Sequence, residues 1–444
     1  MKKTLLTLFI ILSYSIVKAQ GNFQFFGKNT EKQELSFRLI NNLIIVPLEI
    51  NGKELSFILD TGVNKTILFN LTQNDSLGLN EIKKVFIHGL GDGEPVEALL
   101  SKKNTFKIKN LVNTNESLYV ILKDAFNVSA RMGTTIHGII GYDLLKDVIA
   151  KIDYTNKKIT FYNPKNFKQP KKCRKCDIYP LEFYRNKPYV NINVDLNDSI
   201  KNVPVKLLID SGGSDAIWLF ENSKEVIKTP KKYFKDILGE GFSGTIYGNR
   251  SRVSKLTIGK FEVIEPTVSF LDSTSTLNAR KFKKRNGSIG GDILKRFKVW
   301  LDYPNKQLIL KQSASLKDGF YYNMSGLQVV YNGQELIKEE AITRFADSYG
   351  NNVDKNNSIS FVKTFFYKFK PIYKVDKVVE DSPASKVGLK KDDIIKYING
   401  KPAHQYTLGD IMELFHSKPN RKIKIKVERG VTMLKFEFKL EQRI

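Results

Sequence analysis

The chain has 444 residues, 41% hydrophobic and 27% charged, with 72 Lys and Arg against 46 Asp and Glu and a formal charge of +26. That balance excludes a disordered or fibrous chain and leaves apolar residues enough for roughly three domains. The lysines are scattered through every segment instead of gathered in one stripe, which argues against a nucleic-acid partner and for general solubility.

The first residues, MKKTLLTLFIILSYSIVKAQ, combine two lysines, an apolar run from Leu5 to Val17 and small residues ahead of a cut after Ala19. They predict a secretory signal peptide over 1–19. The apolar run is shorter than the roughly 20 residues a spanning helix needs, and no cysteine follows it to carry a lipid. No later stretch is apolar enough to span a bilayer. The expectation is an exported protein, periplasmic or extracellular, with no integral membrane segment after cleavage.

Next comes FILDTGVNKTILF (57–69), an apolar strand interrupted by Asp60. An unpartnered buried carboxylate costs several kcal/mol or shifts its pKa, so something must share or use that charge. The segment is echoed by LLIDSGGSDAIWLF (207–220), which supplies a second carboxylate, Asp210. Gly89 follows Asp60 and Gly239 follows Asp210 by the same 29 residues. Further on, HGIIGYDLLKDVIAKIDYTNKKITFY and NGSIGGDILKRFKVWLDYPNKQLIL place Gly138 and Gly287 at intervals that differ by one residue, and each ends in an Asp-Tyr turn, Asp153-Tyr154 and Asp302-Tyr303. The chain therefore repeats one unit twice. Alternation such as Val46-Leu48-Ile50 and Val190-Ile192-Val194 marks half-buried strands, and helical periodicity is confined to short stretches such as Tyr142 to Val148. Each copy is expected to be a small, mostly antiparallel β barrel, spanning 22–165 and 179–315. The lysine-rich linker 166–178 joins them and holds the only cysteines, Cys173 and Cys176. A local disulfide suits an oxidising compartment; two cysteines with no neighbouring histidine do not make a zinc site.

These residues resemble the aspartic proteases, specifically the retropepsin-like lobe in tandem, single-chain form, over roughly 30 to 312. The carriers are Asp60-Thr61-Gly62 and Asp210-Ser211-Gly212, the glycine-rich segment after each, and the elements Ile139-Ile140-Gly141 and Ser288-Ile289-Gly290. The resemblance implies that Asp60 and Asp210 meet across a pseudo-twofold axis, share one proton and activate a water. It implies that the Thr61 and Ser211 hydroxyls bond across the axis, while Gly62 and Gly212 allow close backbone approach. Gly89, Gly91 and Gly93, with Gly239, Gly241 and Gly244, would supply turn conformations for two substrate-binding flaps. No cofactor and no metal are implied. In the first copy Val63 and Asn64 stand where the second has Gly213 and Ser214.

Beyond the second copy the order is two strands, a Ser-Pro-Ala turn opening a short helix, Gly388-Leu389, Asp392-Asp393-Ile394-Ile395, a turn at Asn399-Gly400 and a helix from Leu408 to Phe415. This resembles a bacterial PDZ domain over roughly 372 to 440, with Asp392 where such modules often carry glycine. The domain is expected over 318–444, with Met324-Ser325-Gly326-Leu327 as the loop that captures a peptide carboxylate. An insertion at about 332–371 is expected to be a helix and flexible loop packed on the repeated unit.

The reading is an exported, mostly β aspartic endopeptidase acting on peptide or unfolded protein, with a PDZ domain binding peptide or protein termini. Its competitor is an inactive pseudo-protease that serves as a peptide-binding scaffold. A serine hydrolase using Ser211 or Ser214 is poorly supported, since no G-x-S-x-G elbow surrounds either.

Overall fold

The computed structural model describes residues 21–71, 77–87, 95–122, 128–169, 173, 175–241, 244–345 and 360–444. The predicted signal peptide lies outside the described residues. The described residues are mostly β and divide into two compact units: those of 21–122 with 135–320 and 444, and those of 128–134 with 321–443.

In the first unit each copy of the repeat builds its own large sheet around a hairpin. Leu43–Ile50 pairs antiparallel with Lys53–Leu59, joined by Asn51 and Gly52 at φ 49° and 90°, the left-handed pair that a two-residue hairpin turn requires. The second copy repeats the pairing with Lys187–Asp195 and Val203–Ile209. The Gly-containing landmarks are short strands laid parallel to the second arm of each hairpin: Gly138–Ile140 on Lys53–Leu59 and Gly287–Ile289 on Val203–Ile209.

A third, six-stranded sheet is shared. Lys32–Ser36, Lys158–Tyr162 and Ile149–Asp153 come from the first copy; Phe297–Asp302, Gln307–Gln312 and Cys176–Pro180 come from the second. The copies meet antiparallel, with Ile152 opposite Val299. The Asp-Tyr landmarks are its turns. Asp153 accepts the Asn156 backbone N–H at 3.2 Å and Asp302 that of Asn305 at 3.1 Å, so a side-chain-stabilised turn explains why Asp and Asn recur three apart. One apolar core runs through both copies, including Phe57, Ile140, Leu207 and Ile289.

The linker ends earlier than its polarity suggested. Cys176–Pro180 is already a strand of the shared sheet, because Tyr179 is buried and Ile178 pairs with Ile309. Cys173 and Cys176 are joined by a disulfide.

In the second unit Leu327–Phe345 and Ser360–Val378 form a long antiparallel hairpin, continued by Ile394–Ile398, Lys422–Arg429 and Thr432–Lys439. The helix Leu408–Phe415 is closed by a capping box between Thr407 and Asp410. Asp392 has φ +68°, which is why a glycine suits that position. The expected helical insertion is corrected. Apart from a bulge at Gly333, φ +84°, the ladder runs on from Gln334 opposite Pro371 to Phe345 opposite Ser360. The charges of GQELIKEEAI (333–342) are matched across the hairpin by Glu339 to Lys370 and Glu340 to Lys363, both 2.6 Å. The partner segment SFVKTFFYKF (360–369) is rich in aromatic and β-branched residues, which favour an extended chain. Residues 128–134, assigned by sequence to the first copy, also belong to this unit, where the helix Val128–Met132 lies against the strand Leu327–Phe345 and the helix Leu408–Phe415. Among the described residues no helix is long and apolar enough to cross a membrane.

Candidate active site

Both aspartates stand at the end of a buried strand, where the third strand of each copy fixes their backbone. Asp60 N–H donates to the Ile140 carbonyl at 2.8 Å and Asp210 N–H to that of Ile289 at 2.9 Å. The Ile-Gly landmarks thus position the carboxylates by main-chain hydrogen bonds, through an element remote in sequence.

The two loops are locked to each other by a reciprocal set of buried bonds. Ser211 N–H donates to Thr61 Oγ1 at 2.9 Å and Thr61 N–H to Ser211 Oγ at 3.1 Å. The hydroxyls then donate onward, Thr61 to the Ile209 carbonyl at 2.6 Å and Ser211 to that of Leu59 at 2.8 Å. Each hydroxyl accepts one bond and gives one, which Ala or Val could not do. Thr61 is 0% exposed and Ser211 1%, so no water can replace them.

The two carboxylates come together at Gly62, where one added carbon would touch an oxygen of each. Gly62 N–H donates to Asp60 Oδ1 at 2.6 Å. A Cβ built on Gly212 would lie 2.2 Å from Asp60 Cγ, whereas one on Gly62 would lie 3.0 Å from Asp60 Oδ1 and 3.1 Å from Asp210 Oδ1. A Cβ on Gly212 is therefore admitted only by displacing the Asp60 carboxylate, and one on Gly62 by a smaller shift. Gly212→Ala is expected to cost about 1–3 kcal/mol of stability by overpacking and to push the carboxylates apart. Thermal melts compared with Gly62→Ala check this, the Gly212 variant melting lower.

Burial pushes the Asp60 pKa up to about 7; the Asp210 charge adds to the rise, while the Gly62 N–H and the Lys187 ammonium oppose it. Asp210 is also raised by burial, but Arg285, Lys187 and the Gly212 N–H pull it back. Two like charges this close cannot both ionise cheaply, so the pair holds one proton over a wide pH range. Such a pair can take a proton from one bound group while giving one to another.

Several participants carry no signature in the repeat. Lys187 and Arg285 come only from the second copy. Asp215 accepts the Trp218 indole N–H at 2.7 Å, Ser269 Oγ at 3.0 Å and Arg250 Nη1 at 2.9 Å, while Arg250 Nε reaches Asp236 at 2.6 Å. This ties the loop after Asp210 to both arms of the hairpin Phe234–Gly241/Gly244–Arg252. Asn42 Nδ2 crosses from the first copy to the Ser214 carbonyl at 2.9 Å. The second Asp in DSGGSDAIW was the available clue for Asp215.

The glycines expected in a second flap lie in that hairpin, with Gly241 opposite Gly244 and a register shift beside Gly239. Gly239 itself is not left-handed, and a Cβ there would meet open space, so the special turn conformation expected of it is not required. In the first copy Lys83–Ile87 pairs with Val96–Ile108; Gly89, Gly91 and Gly93 lie outside the described residues. Near the start of the second unit Met324 is buried, Ser325 Oγ accepts the Leu327 N–H at 3.0 Å, and Gly326 has φ +79°.

Residues 46–144 match a family model described as aspartyl protease, and residues 350–440 one described as PDZ domain. Among solved structures the chain is similar to an aspartic proteinase from Irpex lacteus, at 13% identity and a TM-score of 0.43, covering 65% of this chain and 99% of that one. A comparison with curated proteins gave no match. The chain carries an aspartyl protease domain followed by a C-terminal PDZ domain.

Proposed function

We propose that the protein is an exported aspartic endopeptidase whose dyad is Asp60 and Asp210, and that its PDZ domain binds peptide or protein termini. The observation that carries this reading is the pair of facing carboxylates held by reciprocal Thr61–Ser211 bonds. One carboxylate takes a proton from a water that attacks the scissile carbonyl carbon, and the other gives its proton to the carbonyl oxygen. The tetrahedral intermediate collapses as the first carboxyl passes its proton to the amine nitrogen and the second recovers one from a hydroxyl, with no acyl-enzyme formed. The hairpin above Asp215 would fold over an extended peptide. The PDZ domain would receive a chain end as an added strand beside Leu327–Phe345. Export rests on the lysine-led apolar segment at 1–19.

Denatured casein incubated with the chain lacking residues 1–19, from pH 3 to 8, is expected to yield new internal chain ends identified by mass spectrometry. Intact casein at every pH, with the protein folded, would remove the endopeptidase reading and leave a peptide-binding scaffold.

A further inference from the structure

Among the described residues of the second unit, Leu327–Phe345 pairs on one side only, with Ser360–Val378, and is therefore the edge strand of its sheet. The helix Leu408–Phe415 runs beside it. The Met324 N–H donates to the Phe415 carbonyl at 3.0 Å, at the far end of that helix. Tyr373, opposite Tyr331, donates its hydroxyl to the Tyr406 carbonyl at 2.8 Å, just ahead of the helix. The strip between Leu327–Tyr331 and this helix is where a PDZ domain adds a peptide strand. At the Leu327 end the strip is closed by its own chain. Val379 N–H donates to the Gly326 carbonyl at 2.9 Å, which leaves the main-chain groups of Leu327 pointing to the outer side of the edge. There the Leu327 N–H donates to Ser325 Oγ at 3.0 Å, the Leu327 carbonyl accepts from Asn323 Nδ2 at 2.7 Å, and the Ser325 N–H donates to Asn323 Oδ1 at 3.0 Å. Two of the donors expected to capture a peptide carboxylate are spent on local side chains.

The segment 128–134 takes the space by the start of the helix. Val128–Met132 lies against both walls of the strip, the edge strand and Leu408–Phe415. Gly133 follows at φ +65° and packs on Leu408: a Cβ there would lie 2.8 Å from Leu408 Cβ and 3.5 Å from its Cδ2. Thr134 N–H donates to the Ser129 carbonyl at 3.3 Å and closes the turn. No residue from 128 to 134 is exposed, whereas Leu122 before it and Thr135 after it are. A helix of five residues does not hold together alone in water, so its packing on the two walls is what keeps it. The stretch is also tethered at both ends in the first unit, where the Ile121 N–H donates to the Leu68 carbonyl and the His137 N–H to the Ser56 carbonyl, both at 2.8 Å.

We propose that residues 128–134 are an internal, displaceable occupant of the PDZ groove, so that an outside peptide binds only by driving this segment off Leu408 and the edge strand. The proposal rests on the peptide-binding reading of the domain and adds the competitor that its ligand must beat. A tethered segment competes at an effective concentration of order mM. The apparent affinity for an outside peptide is then the intrinsic one reduced by the fraction of grooves that stand open. The groove in this state admits a tightly bound or locally concentrated extended chain and rejects a weak one.

The test compares the chain lacking residues 1–19 with two released forms of it. Gly133→Val alters neither wall of the groove, yet its side chain meets Leu408 and is strained at φ +65°. The second form replaces 128–134 by a Gly-Ser stretch of equal length. Amide hydrogen exchange followed by mass spectrometry reads the segment, and a dye-labelled pool of random octapeptides with free carboxyl ends, beside the amidated pool, reads the groove by fluorescence anisotropy. In the unsubstituted chain 128–134 is expected to exchange slowly, and in Gly133→Val quickly, with the sheet of the second unit unchanged. Both released forms should reach half-saturation at an at least about tenfold lower concentration of the free-carboxyl pool. Free exchange of 128–134 in the unsubstituted chain, or pool binding as strong there as in both released forms, would overturn the proposal. The exchange arm needs no ligand: the expected exchange with no uptake of either pool by the released forms would sink the peptide-binding reading of the domain on its own.

Discussion

Asp60→Asn and Asp210→Asn are each expected to lower kcat/KM for peptide cleavage at least about a thousandfold, the upper range for losing a positioned acid or base. Asparagine keeps the shape of the side chain, and the backbone bonds to Ile140 and Ile289 are untouched, so loss of rate without loss of fold isolates proton transfer. Activity retained in either variant would show that the carboxylates do not work as one unit. Stability provides a second readout. The Asp60 pKa of about 7 lies above the ordinary value of 3.8, so the folded state holds this proton more tightly than the unfolded chain. That contribution is fully present below about pH 4 and is lost as pH rises through 7, by roughly 4 kcal/mol at ~1.4 kcal/mol per pH unit. Urea unfolding of the wild type should show this decline between pH 4 and 7, and Asp60→Asn should flatten it.

Ser211→Ala is expected to destabilise the protein by about 2–5 kcal/mol. The substitution leaves the Thr61 N–H and the Leu59 carbonyl buried without the bonds they make now, and each orphaned group costs ~1–3 kcal/mol. Thr61→Ser retains both bonds of its hydroxyl and should stay within ~1 kcal/mol of wild type. Urea midpoints at constant m-value decide the matter. A Ser211→Ala midpoint indistinguishable from wild type would mean that the cross-lobe bonds do not hold the site together. Because the lock lies beneath the carboxylates, the same variant should lose activity by misplacing them, before any loss of the fold as a whole.

How much of this was legible in the sequence depended on repetition. Asp60 and Asp210, with their Thr and Ser neighbours, could be paired because each sits in a copy of the same text, and main-chain geometry at a buried carboxylate tolerates few alternatives. The Ile-Gly landmarks could be found the same way. Lys187 and Arg285 could not, because they are the departures from the repeat. The long hairpin of the second unit was misread for a related reason: GQELIKEEAI carries the charge pattern of an exposed helix, and its partner strand lies outside the local window that periodicity reads.

The sequence by itself determined the repeated architecture, the paired carboxylates, the hydroxyls beside them and the order of elements in the C-terminal domain. All of these are local patterns, fixed by alternation, turn residues and spacing. Only the tertiary structure decided that Gly212 presses on the opposite carboxylate, that Lys187 and Arg285 of the second copy act on the pair, and that residues 128–134 leave the first copy to pack in the second unit. Those facts depend on which atoms distant segments bring within a few Å. Packing and electrostatics act at that range through space, whatever the separation along the chain.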